Sequence, residues 1–253
     1  MKEKRKRTLF FTLIIVILLL LHFTLTDFYR ILLIESILLG IFAMSLDLML
    51  GFTGLVSFGH AAFFGAGGYA LGYALLRWGT SIWAALGFAV IVTVTLSIFI
   101  GYLSIRAKGI YFAILTLAFA EVIYRIVFYT DFLGGSDGMI GLPRPTLRIL
   151  EGIQLSITKP FTFFFFTLAY GIIAYGVIWK LTHSSFGKVL EAIRENEERV
   201  AFIGYNVKRY KMICFGFSAM FAGLSGAFYS LFKGFADTEQ LHFLTSGKVI
   251  LMT

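Results

Sequence analysis

The sequence has very little cysteine, proline and charge. Cys214 is the single cysteine among 253 residues, and Pro143, Pro145 and Pro160 are the only prolines. One cysteine excludes an intrachain disulfide and a cysteine-rich metal site. Only 14% of the residues are charged, and the mean hydropathy is +0.86. These values exclude a soluble domain and indicate an integral membrane protein.

Several chemical motifs are also missing. No G-x-x-x-x-G-K-[ST] sequence occurs, so this chain is not expected to bind ATP phosphates itself. The histidines are too scattered for a paired ligand spacing such as H-E-x-x-H; they are His22, His60, His183 and His242. No nucleophile stands beside a base in the pattern that a membrane-embedded enzyme needs. We therefore predict no catalytic residue, no metal site and no cofactor on this chain.

Long apolar runs take the place of these motifs. Each is close to the roughly 20 residues that cross a hydrocarbon core, and none alternates as the strands of a membrane barrel do. We expect an all-α polytopic transmembrane bundle of about seven spans, forming a single transmembrane domain over residues 1–253. The predicted spans are Leu9–Leu25, Ile31–Leu50, Leu55–Leu76, Ile82–Ile105, Ile110–Tyr129, Phe161–Leu181 and Tyr210–Phe232.

Basic residues fall in blocks at the ends of these runs, which is typical of a membrane protein and not of a nucleic-acid-binding one. The blocks lie at residues 2–7, at Arg106 and Lys108, and between Lys180 and Lys211. Alternation of the spans puts all three on one side, so the positive-inside rule predicts a cytoplasmic N-terminus. Leu9–Leu25 lacks a small-residue cleavage site, so we expect a retained first helix and not a removed signal.

Two connections and the end of the chain carry further signals. Residues 131–159, on the predicted outer side, contain LGGSDGMIGLPRP, whose glycines and prolines predict ordered turns. Residues 182–209, on the inner side, are predicted to form an amphipathic helix with an apolar face of Phe186, Val189, Leu190, Ile193 and Val200. GKVILMT, at residues 247–253, looks like the start of another apolar segment, so we expect a further C-terminal part beyond it.

The stretch from Ser45 to Gly72 is apolar but rich in glycine, with Asp47 and His60 as its ionisable side chains. Small residues let membrane helices approach closely, and intramembrane ionisable groups mark candidate functional positions. We expect the stretch to make close contacts around a translocation path, with His60 as a hydrogen-bonded structural residue. Its path candidates are Asp47, Gly54, His60, Gly65 and Gly68.

Charged residues elsewhere in the spans leave a second possibility open. Glu121 and Arg125 lie four residues apart, where they share a helical face and can pair, and both are path candidates. Glu35 and Asp47 are more isolated. A proton or cation relay through these residues, in a secondary transporter that works alone, is the main alternative.

Four segments together resemble the LivM-like permease subunits of ABC importers for branched-chain amino acids. They are SLDLMLGFTGLVSFGHAAFFGAGGYA, RAKGIYFAILTLAFAEVIYR, GGSDGMIGLP and SFGKVLEAIRENEERVAFIGYNVKRYKMICFGFSAMFAGLSGAFYS, and they occur in the family order. One position departs from the family, because Asp47 stands where its members usually carry asparagine.

The resemblance implies a bacterial inner-membrane subunit that pairs with a sister permease as a heterodimer. It further implies two separate ATPase subunits, which would hold ATP and magnesium, and a periplasmic or lipid-anchored substrate-binding protein. Within residues 182–209 it implies a coupling helix whose apolar face fills a groove of the ATPase. Its coupling residues would be Phe186, Val189, Leu190, Glu191, Ile193, Arg194, Glu195 and Gly204. Other small solutes, such as urea, an amide or a sugar, remain alternative substrates.

Overall fold

The computed structural model describes residues 26–251 except 108, 145, 151, 152, 157 and 158. The described residues form a helical bundle with a few short strands. The helices are α1 (Asp27–Thr53), α2 (His60–Arg77), α3 (Ile82–Ser104), α4 (Ile110–Phe128), α5 (Pro160–Thr182), α6 (Ser185–Glu195), α7 (Glu197–Phe202), α8 (Val207–Lys233) and α9 (Phe243–Ile250). The strands are β1 (Met139–Ile140), β2 (Thr146–Leu150), β3 (Ile153–Ser156) and β4 (Phe235–Ala236).

The predicted all-α polytopic fold is confirmed. Six of the seven predicted spans correspond to long helices, and the predicted span Leu9–Leu25 lies outside the described residues. Five helices, α1, α3, α4, α5 and α8, are long and apolar enough to cross a membrane. The sixth, α2, is shorter and rich in glycine, but nearly all of it is buried by the other helices. Because protein surrounds it, α2 does not need the apolar surface that lipid would demand.

Close backbone contact between α2 and α8 forms the centre of the bundle. A Cβ atom added at Gly67 would overlap the Gly223 carbonyl, and one added at Gly226 would overlap the Phe64 carbonyl. Only glycine permits this approach, which maximises dispersion contact where lipid provides no hydrophobic drive between helices. The close helix contacts predicted from the small residues are therefore confirmed, and they lie within this chain.

The connection between α1 and α2 differs from the prediction. Gly54 adopts a left-handed conformation at φ 71° and ends α1, with its N–H bonded to the Leu50 carbonyl at 3.2 Å. The chain then returns into the bundle without helical structure, and α2 begins at His60, not at the predicted Leu55. Ser57 and Gly59 are buried in this return, as irregular backbone within a membrane protein must be.

Short ordered elements close one end of the bundle, as the glycines and prolines of residues 131–159 predicted. Two 3₁₀ turns, Asp131–Leu133 and Gly135–Asp137, precede β1, which pairs with β4 in antiparallel register. Strands β2 and β3 form a separate antiparallel hairpin. Arg144 Nη2 donates to the Phe232 carbonyl at 2.5 Å and ties this connection to the end of α8. We call this end of the bundle the loop end.

The opposite end, called here the basic end, contains Arg106 and residues 182–209. The single amphipathic helix predicted for residues 182–209 is wrong, because two helices, α6 and α7, occupy this segment. Asn196 separates them in an extended conformation, and its side-chain oxygen accepts from the Arg199 N–H at 2.9 Å. Asparagine favours such N-cap positions over helix interiors, which explains the break.

The chain returns into the bundle once more after α8. Gly234, at φ 82°, ends that helix, and a 3₁₀ turn at Thr238–Leu241 leads into α9. Helix α9 packs against α1, α2 and α4. The apolar segment predicted to start near Gly247 is thus already helical from Phe243 and lies against α2.

Candidate functional site

A buried polar cluster joins α1, α2 and α8 at the start of α2. The His60 ring is fully buried, with Nε2 at 3.2 Å from Ser45 Oγ and 3.1 Å from Ser218 Oγ. Ser218 Oγ also donates to the Ser45 carbonyl. Phe42 stacks on the His60 ring at a centroid distance of 5.8 Å. The hydrogen-bonded role predicted for His60 is confirmed, and its Nδ1 atom has no hydrogen-bond partner among the described residues.

A residue far along the chain caps the first turn of α2. Ala61 N–H donates to Ser246 Oγ of α9 at 2.6 Å. The N-cap residue of α2 is Gly59, which has no side chain to accept this bond. The first N–H groups of a helix have no partner within the helix, and leaving one unsatisfied in a buried position is costly. Ser246 therefore stabilises a helix start within the bundle, which no local sequence signal predicted.

Two glycine path candidates face atoms of this chain. A Cβ at Gly65 would overlap the Leu241 side chain, and one at Gly68 would overlap Ser230 Oγ. In the residues described here, both glycines thus allow close packing against neighbouring side chains. The same closeness explains the glycine content of α2. Their part in a translocation path stays a prediction.

Two pairs of oppositely charged residues lie in the transmembrane helices. Arg125 Nε lies 2.8 Å from Glu121 Oε1, so the predicted pairing is confirmed, and the Arg125 side chain is 59% exposed on the outside of the bundle. Glu35 is not isolated, contrary to expectation, because Lys233 Nζ lies 2.6 Å from its Oε1 atom. Glu35 of α1 and Lys233 of α8 lie side by side because the two helices run in opposite directions. The spacing of the two residues in the sequence could not reveal this contact.

Arg194 links the basic end to the transmembrane helices. Its Nη1 atom donates to the Gly51 carbonyl in the last turn of α1. Its Cγ atom would lie 3.1 Å from a Cβ added at Gly54. Arg194 also attracts the partly buried Asp47 carboxylate electrostatically. One side chain of α6 thus lies against the residues that end α1, Gly51 and the path candidate Gly54.

The apolar face of α6 packs against the chain's own core. Leu190 is fully buried and Ile193 is 3% exposed. Phe186 stacks on Tyr210 of α8 with a centroid distance of 5.4 Å, and Val189 packs against the same core. Leu190 and Ile193 are thus covered by the chain's own core, while Phe186 and Val189 are only half-buried, and insertion of this face into a groove of another protein stays a prediction. The periodicity correctly identified the buried face.

The exposed apolar surface of the basic end lies further along the segment. Phe202 is 89% exposed, Ile203 is 72% exposed and Tyr205 is 43% exposed, around a left-handed turn at Gly204 with φ 95°. We call these four residues the α7 tip. Glu191 and Glu195 are also exposed, on the outer side of α6. An exposed apolar tip bordered by charged residues has the composition of a protein interaction site.

Comparisons with known proteins identify one family and two curated relatives that this sequence resembles. Residues 28–253 match the family described as the branched-chain amino acid transport system permease component. The chain is 29% identical over 231 residues to the high-affinity branched-chain amino acid transport system permease protein LivM of Escherichia coli strain K12. It is 28% identical to the protein of the same name in Salmonella typhimurium strain LT2.

The two relatives are matched only in part. Each alignment covers 83% of this chain and 54% of the relative, so the chain spans about half the length of the curated relatives it matches. No solved structure matches the chain significantly.

Proposed function

This chain belongs to the family of branched-chain amino acid transport system permease components, and we propose that it is one translocation subunit of an ATP-driven importer. It is a multi-pass membrane protein in a bacterial-type inner membrane, with the basic end in the cytoplasm. A sister permease completes the path, and two separate ATPase subunits supply the energy. A periplasmic or lipid-anchored binding protein delivers a branched-chain amino acid at the loop end.

The connection of α6 to α1 through Arg194 is the observation that carries this proposal. A coupling element needs an exposed surface for the ATPase and a firm contact with a transmembrane helix. The α7 tip offers the exposed surface, while the buried side chains of Leu190 and Ile193 fix α6 to the bundle. The hydrogen bond from Arg194 to Gly51 joins α6 to α1. Movement of the tip would therefore be transmitted to the end of α1, beside Asp47 and Gly54.

The pairing of charges makes a stand-alone proton or cation transporter the weaker candidate. Glu35 and Glu121 each have a basic partner within 2.8 Å. Charge neutralisation within the membrane accounts for Glu35 and Glu121 without a relay.

Affinity purification of the full chain from its native membranes tests the proposal. We expect an ATPase, a second permease and a binding protein to co-purify, and the reconstituted complex to take up labelled leucine only with ATP. Uptake of leucine by the chain alone, driven by a proton gradient, would contradict the proposal. Uptake of urea, an amide or a sugar in place of leucine would retain the importer and change its substrate.

A further inference from the structure

A cavity of about 370 Å³ opens at the basic end, between the last turn of α3 and the first turn of α8. Arg106, Lys208 and Arg209 contribute its charged side chains, and all three are exposed. Among the residues that the structure describes, no acidic one lines the cavity. Within the described ranges, none of the three cations takes part in an ion pair closer than 4.0 Å. The cavity is therefore a cationic groove without a counter-charge from its own walls.

The charge arrangement favours binding of an anion. Lys208 and Arg209 stand in the first turn of α8, where the helix dipole is positive and acidic residues are favoured. Arg106, across the groove, has its guanidinium 4.9 Å above the ring of Tyr102. The neighbouring cation Lys211 is arranged differently, because it is buried and paired with Glu197 at 2.7 Å. Among the described residues, the three groove cations have no acidic partner of this kind.

One wall of the groove continues onto the apolar outside of the bundle. Tyr102 is 60% exposed and Ile213 is 40% exposed, and both line the cavity. Phe99, one turn further into α3, is 60% exposed as well. Because α3 and α8 are apolar enough to cross a membrane, this surface lies where acyl chains run. A ligand that fits the whole groove has an anionic head and an apolar tail.

We propose that this groove binds an anionic phospholipid, with its phosphate between Arg106, Lys208 and Arg209. Its acyl chains lie along Tyr102, Ile213 and Phe99. Basic pockets between transmembrane helices at the membrane surface bind such headgroups, because each cation near the surface attracts the anionic lipid. The site depends only on α3 and α8 crossing the membrane, so it is independent of the transported solute and of the partner subunits.

Native mass spectrometry of the full chain in detergent tests the site directly. Phosphatidylglycerol and phosphatidylcholine with the same acyl chains are titrated onto the purified protein. We expect phosphatidylglycerol to bind more tightly, and Lys208→Gln with Arg209→Gln to weaken it by about fivefold for each lost charge, which corresponds to ~1 kcal/mol per basic residue. Lys208→Arg with Arg209→Lys keeps the charges and should keep the preference.

A matched control removes two charges from the same end of the protein but outside the groove. Lys188→Gln with Arg199→Gln should leave phosphatidylglycerol binding unchanged, since both residues are exposed on α6 and α7. Equal losses in the two double variants would overturn the proposal, because only net charge would then matter. An unchanged preference in Lys208→Gln with Arg209→Gln would overturn it as well.

Two further competition measurements distinguish a lipid headgroup from a free phosphate compound as the ligand. We expect inorganic phosphate and glycerol phosphate at millimolar concentration to displace little lipid, because the tail contributes to binding. Complete displacement by either would indicate a site for a free phosphate compound and contradict the lipid assignment. If the groove variants instead lose a cytoplasmic protein while phosphatidylglycerol binding persists, the groove is a protein-docking surface and the proposal fails.

Discussion

Lys211 Nζ lies 2.7 Å from Glu197 Oε2, so an ion pair holds α7 against α8. The two partners are unequally buried, since the Lys211 side chain is 4% exposed and that of Glu197 is 32% exposed. A buried charge that loses its partner is more costly than an exposed one. The pair therefore attaches the α6–α7 segment to the bundle, and removing Glu197 should cost more stability than removing Lys211.

We expect Glu197→Gln to destabilise the protein more than Lys211→Met. The first change leaves an ammonium group buried without a counter-charge and should lower the free energy of unfolding by about 2 kcal/mol or more. The second leaves a carboxylate that reaches solvent and should cost under about 1 kcal/mol. Thermal unfolding in detergent measures both, with Glu195→Gln on exposed α6 as the control. The opposite order of the two variants would contradict this description of the pair.

Gly226→Ala should disrupt the bundle, whereas Gly176→Ala should be tolerated. A Cβ at Gly226 would overlap the Phe64 carbonyl, while one at Gly176 meets nothing within 4 Å. The added methyl must push α2 away from α8, a form of overpacking that costs about 1–3 kcal/mol. Gly176 lies within α5 on an exposed face, so alanine should be neutral or slightly stabilising there. The yield of monodisperse protein and its unfolding midpoint compare the two.

Ser246→Ala should loosen the start of α2. The substitution removes the acceptor for the Ala61 N–H, and loss of an N-cap costs about 0.5–2 kcal/mol. Thr245→Ala is a suitable control, because its hydroxyl donates to the Glu239 carbonyl in a more exposed position. Hydrogen exchange at residues 60–64 should become faster in the Ser246 variant alone. Equal exchange in both variants would show that Ser246 does not cap this helix.

Arg194→Gln should uncouple transport from ATP hydrolysis without preventing assembly. The change removes the charged donor to the Gly51 carbonyl and leaves the α7 tip unaltered. We expect the ATPase to co-purify normally, while the amount of substrate moved for each ATP falls severalfold. Lys188→Gln, on the exposed face of the same helix, should preserve the ratio. An unchanged ratio in the Arg194 variant would refute its role as the link between α6 and α1.

The sequence predicted the long helices well because each is a continuous apolar run with limits set by membrane thickness. It also identified the buried face of α6, since Leu190 and Ile193 follow helical periodicity. It did not identify Asn196 as a break, although asparagine followed by two glutamates is a recognisable start signal for α7. The apolar periodicity continues past Asn196 to Val200, and the prediction of a single helix followed that periodicity.

Contacts between distant parts of the chain could not be predicted from local patterns. Glu35 is paired with Lys233, and Ser246 caps α2, yet no periodicity connects either pair of positions. The return of the chain through residues 55–59 was missed for another reason. These residues are mostly apolar, so composition continued the predicted span, while the left-handed Gly54 ended the helix.

The most direct test of the central claim is whether the α7 tip binds the ATPase. Phe202→Asp with Ile203→Asp places charges on exposed side chains and should leave the bundle folded. A control, Ile140→Asp, changes a side chain that is 71% exposed at the loop end. When the full chain is affinity-purified from native membranes, we expect the ATPase to be lost from the double variant alone. Normal ATPase recovery with the folded double variant would contradict the claim.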